Sequence, residues 1–367
     1  MRRIIILTSL VIMVMLAPAM AQKNTLDKVR LGMDYIYNQD FQKSQAIINE
    51  IERTSQKSAI PDLMKALLTF WKYYPVHLED DKLEIYQKYL VSSYSRSLEV
   101  LKSDPGNPEA VFLAIASQGL LAESYSESGR SFKAVRAAKR AYNYIKEGSQ
   151  KLDQSKEFYL STGLYNYYRE YYPDAYPIYK PFMYFFMKGD KHKGIQQLEV
   201  AAKEASIAHV IAQYYLSYIY MRYEYLPSKA LRQGRKLHET YPKNDLFTAI
   251  FLESLIINKR YKEAAPLARG LQSNPSPYLK IYGDLFMGVI EEKNHKNFTN
   301  AEKLYRKALE LNDEYKMKRS HLEAFAYLGL GRIYEHKQDP KARKYFKEAL
   351  DQAYTKAMKN EAKSHLH

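Results

Sequence analysis

Small residues recurring at helical spacing constrain this chain more than any other feature. "AYLGLGRIYEHKQDPKARKYFKEALDQA" carries Gly331, Tyr334, Ala342, Phe346 and Ala349. "NFTNAEKLYRKALELN" carries Ala301, Tyr305 and Ala308, and "RYKEAAPLARGLQSNP" carries Ala264, Ala268, Leu271 and Pro275. Each reads as a helix with small residues one and two turns apart on one face. Each follows an apolar helix and a polar turn. Equivalent positions run back through the sequence as Ser44, Ser93, Ala134, Gly194 and Ala230. The first helices agree: "PEAVFLAIASQGLLAESY" and "IAHVIAQYYLSYIYMRY" place apolar residues at i, i+3, i+4 and i+7. Turn residues cluster between them in "SDPGNP", "SESG", "YPKND" and "SNPSP". No run alternates with period two, so the expected class is all-α.

This pattern resembles the tetratricopeptide repeat, a helix–turn–helix unit of about 34 residues. The resemblance spans eight second helices, at Ser44, Ser93, Ala134, Gly194, Ala230, Ala264, Ala301 and Ala342. It implies an α-solenoid of about eight helix pairs, each burying faces only against its neighbours. Ser44 and Ser93 replace alanine, and Gly234 replaces an aromatic residue. Residues 22–367 are expected to form one repeat domain, most regular over about 207–354. The resemblance also implies a concave groove lined by first helices. Its candidate partner-binding residues are Tyr215, Arg222 and Tyr223, followed by Glu253, Arg332 and His336.

The period breaks once. The steps between equivalent positions are 49, 41, 60, 36, 34, 37 and 41 residues. The step of 60 contains "YNYYREYYPDAYPIYKPFMYFF", with eight tyrosines and with prolines at 173, 177 and 181. An enlarged repeat over about 155–205 follows. Its first helix is expected to run to roughly Glu170, with Phe158, Gly163, Leu164 and Tyr167 inward. The prolines are expected to hold 171–180 extended or turned, and a short helix from about Pro181 to Met187 precedes Asp190, which caps the next one. Two readings stand. The tyrosines fill a thick part of the core, or the loop presents Tyr171, Tyr172, Tyr176 and Tyr179 outward beside the groove.

The N-terminus reads as a secretory signal peptide over residues 1–21. A basic start precedes an apolar run from Ile4 to Ala17 and a small-residue site at Ala19 and Ala21. Its loss leaves 56 − 2 = 54 basic against 41 acidic side chains, a net charge of +13. Anionic partners or surfaces are favoured. An exported chain meets little nucleic acid, so none is expected as a partner. The expected location is the periplasm, or the periplasmic face of the outer membrane, of a Gram-negative-type bacterium, with secretion as the other outcome. No further transmembrane segment is expected.

Catalytic signatures are missing. The nine histidines form no HExxH, the chain has no cysteine, and no GxSxG, GxxxxGK[ST] or GxGxxG occurs. His77-Leu78-Glu79-Asp80-Asp81 reads as a solvated linker, so no metal or cofactor is expected. Arg130, Lys133, Arg136, Lys139 and Arg140 form the densest basic run. Four of them, Arg130, Lys133, Arg136 and Arg140, are spaced for one helical face and make a candidate anionic docking patch. The expected function is an exported interaction scaffold that binds a peptide or protein in its groove without catalysis. A protein that binds glycans or anionic envelope components through tyrosine-rich surfaces is the alternative.

Overall fold

The computed structural model describes residues 25–55, 58–175, 180, 184, 186–315, 320–353 and 355–366. Among these residues every regular element is helical. The chain divides into two compact units, one up to Ala212 and one from Gln213.

The first unit contains α1 (residues 25–37), α2 (Phe41–Thr54), α3 (Ile60–Lys72), α4 (Asp80–Ser103), α5 (Pro108–Glu127), α6 (Ser131–Gly148), α7 (Phe158–Ala175) and α8 (Lys191–Glu204). The boundary falls within α9 (His209–Tyr218). The second unit continues through α10 (Pro227–Thr240), α11 (Asp245–Ile257), α12 (Tyr261–Gln272), α13 (Pro277–Ile290), α14 (Phe298–Glu314), α15 (Ser320–His336), α16 (Lys341–Gln352) and α17 (Lys356–Ser364). Ser44, Ser93, Ala134, Gly194, Ala230, Ala264, Ala301 and Ala342 fall on α2, α4, α6, α8, α10, α12, α14 and α16 in turn. The eight expected helix pairs are therefore present, with α17 added at the end.

Burial explains the pattern. In the second unit, first helices are buried on nearly every side: residues 246–256 of α11 are buried without a break, as are residues 281–290 of α13. Second helices bury one stripe only, such as Ala230, Gly234 and Leu237 on α10 or Ala264, Ala268 and Leu271 on α12. The two serines that replace alanine have a reason. Each stays small enough for close approach and satisfies its hydroxyl on the paired first helix or the residue before it. Ser44 Oγ donates to the Gly32 carbonyl at 3.0 Å, and Ser93 Oγ to that of Ala59 at 3.1 Å. Both hydroxyls are buried, so an unpaired one would be costly.

Turn chemistry starts and stops the helices. Asn107, Asp190, Asn244, Asn297 and Thr355 cap α5, α8, α11, α14 and α17 by accepting backbone N–H bonds. Several first helices end on a left-handed residue: Gln39, Gly129, Tyr225, Lys259, Lys296 and Gln338. After α1, α5, α11 and α15 the next N–H reaches back five residues, as in Asp40 to Tyr35 and Arg260 to Leu255, the Schellman ending. After α9 and α13 it reaches back six, Leu226 to Tyr220 and Asn297 to Glu291. The additional residue is absorbed by π-helical turns, Ile219–Tyr223 and Glu291–His295.

Two local expectations are corrected. Helix α7 does not stop near Glu170; it continues through Pro173 to Ala175. Pro173 lies in the last turn, so its missing N–H removes one helical bond rather than breaking a long helix. Asp80 and Asp81 open α4 instead of lying in a linker, where their charge favours the helix N-terminus. The expected turn at 176–179 and most of the short helix expected from about Pro181 to Met187 lie outside the described residues; at its end Phe186 and Met187 are not helical.

Candidate functional site

Four segments of the second unit frame a cleft of about 280 Å³. The π turn after α9 and its left-handed exit supply Met221 and Tyr225. The end of α11 and the turn after it supply Ile256, Ile257 and Lys259. Val289 and Lys293 come from α13 and its π turn, and Phe325, Leu328 and Arg332 come from α15. Helix α17 closes one side with Met358 and Glu361. Both π turns and two of the left-handed residues thus contribute to one site. Such backbone features recur where side chains must be aimed.

The floor is apolar and the rim is polar. Ile256, Leu328 and Met358 are buried. Arg332 is held rigidly. Its Nε and Nη2 donate to Glu292 at 2.6 and 2.8 Å, and its Nη1 donates to Glu361. Burial raises the cost of ionising Glu292. The two Arg332 bonds, the Tyr305 hydroxyl donated at 2.6 Å and the Lys293 ammonium at 3.1 Å outweigh that cost and hold its carboxyl below the usual range. Burial likewise works against the Arg332 charge, and Glu292 overrides it, so the guanidinium stays protonated. Tyr261 on the rim has its phenol pushed up by burial, with Glu292 adding to the effect and Arg332 opposing it. Lys259 is exposed and is the rim cation with no acidic partner among the described residues.

The residues singled out in the sequence are placed unevenly. Arg332 lines the cleft. Arg222 and Glu253 meet each other, Nη2 donating to Oε2 at 2.7 Å. The Arg222 guanidinium also lies 4.2 Å from the Tyr218 ring centroid. Glu253, expected on a groove surface, is wholly buried. Its helix α11 is core on all sides, so its carboxylate serves the Arg222 pair. Tyr215 and Tyr223 are half-buried, and His336 is exposed with its ring 4.6 Å from Phe298. In the first unit, Tyr171 is half-buried and stacks on Tyr167 at 5.8 Å. Tyr172 is 45% exposed and stacks on Tyr168 at 5.3 Å. Tyr176 and Tyr179 lie outside the described residues. Arg130, Lys133, Arg136 and Arg140 share an exposed face at the start and middle of α6.

Sequence reasoning missed Tyr225, Lys259, Tyr261, Lys293, Met358 and Glu361. Four sit in or beside inter-helix turns, where helical periodicity carries no signal. The other two sit on α17, whose Met358 and Ala362 repeat at i, i+4 and could have marked it.

The family-model comparison decides the architecture of this region. Residues 285–354, which span α14, α15, α16 and the end of α13, match the family model described as tetratricopeptide repeat. Residues 285–354 are tetratricopeptide repeats. Their second-helix aromatics show the characteristic close fit. The Tyr305 ring lies where a Cβ on Gly329 would fall, 2.2 Å from it, and Phe346 covers Gly331 at 2.7 Å. No curated protein matches the chain. Two solved structures are similar. Human IFIT1 dimer with PPP-AAAA shares 13% identity at a TM-score of 0.40, covering 86% of this chain and 69% of that one. Human IFIT1 dimer with m7Gppp-AAAA shares 13% identity at 0.38, covering 90% and 94%. At those scores neither likeness bears on what this chain binds. Residues 285–354 lie within the helical repeats of the second unit.

Proposed function

We propose that the protein is a non-catalytic scaffold, exported by its N-terminal leader, that holds an extended segment of a protein partner in the cleft of the second unit. One observation carries this reading: an apolar floor ringed by polar groups that point to a partner. Lys259 has no acidic partner, and no hydrogen bond is formed by the Tyr225 or Tyr261 hydroxyl among the described residues. The volume, about 280 Å³, lies just below the usual range for small-molecule sites. It suits two or three side chains of a peptide lying across it. The charge balance sets the peptide's character. Lys259, Lys293 and Arg332 face Glu361, with Glu292 behind them, so one cation is left over. A segment with apolar side chains and one acidic group near Lys259 fits that arrangement.

The test is to pan a displayed peptide library on the purified chain and titrate the enriched peptides. Tyr225→Ala with Lys259→Glu should weaken binding at least tenfold, since anchoring contacts at interface centres each exceed about 1 kcal/mol. Both side chains are exposed, so the fold should be unaffected. Absence of any enriched peptide, or equal binding by the variant, would remove the cleft as the site.

A further inference from the structure

The outer face of α6 combines unpaired cations with exposed apolar side chains. From Gly129 to Lys146 the chain has no Asp or Glu, yet it carries Arg130, Lys133, Arg136, Lys139, Arg140 and Lys146. The first five form no ion pair among the described residues. Arg130 and Lys133 lie over the Tyr125 ring at 5.6 and 5.7 Å, and Arg140 lies over Tyr94 at 5.8 Å. Those contacts orient the cations and leave their charge uncompensated. Among them stand two apolar side chains, Phe132 at 94% and Val135 at 69% exposure.

Helical geometry puts these groups on one plane. At about 100° per residue, Phe132, Arg136, Lys139 and Asn143 fall within roughly 60° of arc. Val135 flanks them on one side, and Arg140 and Lys133 flank them on the other. Ala137 and Ala141 are buried on the opposite, inward face. The Val135 edge continues through Tyr142. Its ring packs on Phe186 at 5.0 Å, and its hydroxyl accepts from the Met187 N–H at 3.0 Å. Phe186 and Met187 are themselves exposed, and Lys188 follows them.

We propose that this face docks the first unit onto an anionic lipid bilayer. Lipid phosphates would neutralise the row of cations, while Phe132 and Val135 enter the boundary between head groups and acyl chains. This occupant satisfies both halves of the surface at once. A nucleic-acid backbone would meet the cations but give Val135 nothing to bury against. An acidic peptide would need a recess, and the outer side of a single helix is convex. No described helix is long and apolar enough to cross a membrane, and the proposed contact is a peripheral one. It involves neither the cleft nor its peptide.

The test is co-sedimentation of the purified chain with vesicles of phosphatidylcholine containing 30% phosphatidylglycerol, against phosphatidylcholine alone. The neutral vesicles report any binding by the apolar N-terminal run, so the difference belongs to charge. Each cation near the surface strengthens partitioning by about fivefold. Arg136→Gln with Lys139→Gln should therefore lower the partition coefficient about 25-fold. Phe132→Ser should weaken binding without changing the helical circular-dichroism signal. Phe132→Trp should shift the emission to the blue on anionic vesicles only, over the constant signal of the buried Trp71. Equal binding to both vesicles, no loss in the double variant, or unshifted emission from the Phe132→Trp variant each overturns the proposal. So does tighter binding of a single-stranded oligonucleotide or of polyglutamate than of the anionic vesicles.

Discussion

Replacing Gly194 with alanine tests how closely the paired helices approach. A Cβ at Gly194 would lie 2.6 Å from the Tyr167 nitrogen, 2.8 Å from the Gly163 carbonyl oxygen and 3.0 Å from the Tyr167 Cα. All three are backbone atoms of α7, so no side chain can swing aside. Reaching the 3.4 Å of ordinary contact requires α8 to retreat by 3.4 − 2.6 = 0.8 Å. Overpacking costs about 1–3 kcal/mol, and a backbone clash belongs at the upper end. Alanine returns about 1 kcal/mol of helix propensity, leaving a net loss of about 2 kcal/mol. Gly119 is the matched control. It lies mid-helix in α5, in the same unit, with nothing within 4 Å of its Cβ position. Gly119→Ala should keep the whole propensity gain of about 1 kcal/mol. The same substitution is thus predicted to change sign. The two variants should differ by about 3 kcal/mol in urea unfolding, or about 6–12 °C in thermal midpoint for a unit of this size. If Gly194→Ala is as stable as Gly119→Ala, α7 and α8 are not in backbone contact and the pairing is wrong.

Three further outcomes are expected. Arg332→Met should destabilise the second unit by about 3 kcal/mol in urea unfolding, the low end for breaking a buried pair because Lys293 still reaches Glu292; a loss under about 0.5 kcal/mol would show that the pair is not buried in solution. Glu302 loses hydration on burial, but bonds from Lys337, Tyr334 and Arg306 outweigh this and hold its carboxyl at about 2. Its contribution is therefore complete above the ordinary carboxylate value and is lost as pH falls from about 4.5 towards 2, so Glu302→Gln should flatten stability over that window, and an unchanged acid limb would refute the assignment. Mass spectrometry of the native protein should find Gln22 or its cyclised form at the N-terminus, and recovery of intact Met1 would contradict export with cleavage.

The second helices were legible because close approach leaves a residue-type signature. At Ala264 or Ala301 only a small side chain fits, and the requirement returns every repeat. Even Ser44 and Ser93 could be placed, since a buried hydroxyl can borrow a neighbouring carbonyl. The turns were not legible. Left-handed backbone is signalled by glycine, yet only Gly129 supplies one. Gln39, Tyr225, Lys259, Lys296 and Gln338 adopt the same conformation without the residue that announces it. Two of these line the cleft, which is why the site was missed. Charge partners were hidden for another reason. Arg222 and Glu253 are 31 residues apart and Arg332 and Glu292 are 40, so the sequence showed the charges but not that they cancel. Pro173 misled because its effect depends on its distance from the helix end, which the sequence does not mark.

The most direct measurement is hydrogen exchange by mass spectrometry on the chain with and without a peptide enriched on it. The account predicts added protection confined to the backbone around the cleft, at residues 221–225, 256–261, 289–293, 325–332 and 355–361, with the first unit unchanged. Protection centred on another face, or no change at saturating peptide, would contradict the claim that this repeat scaffold works by holding a partner segment there.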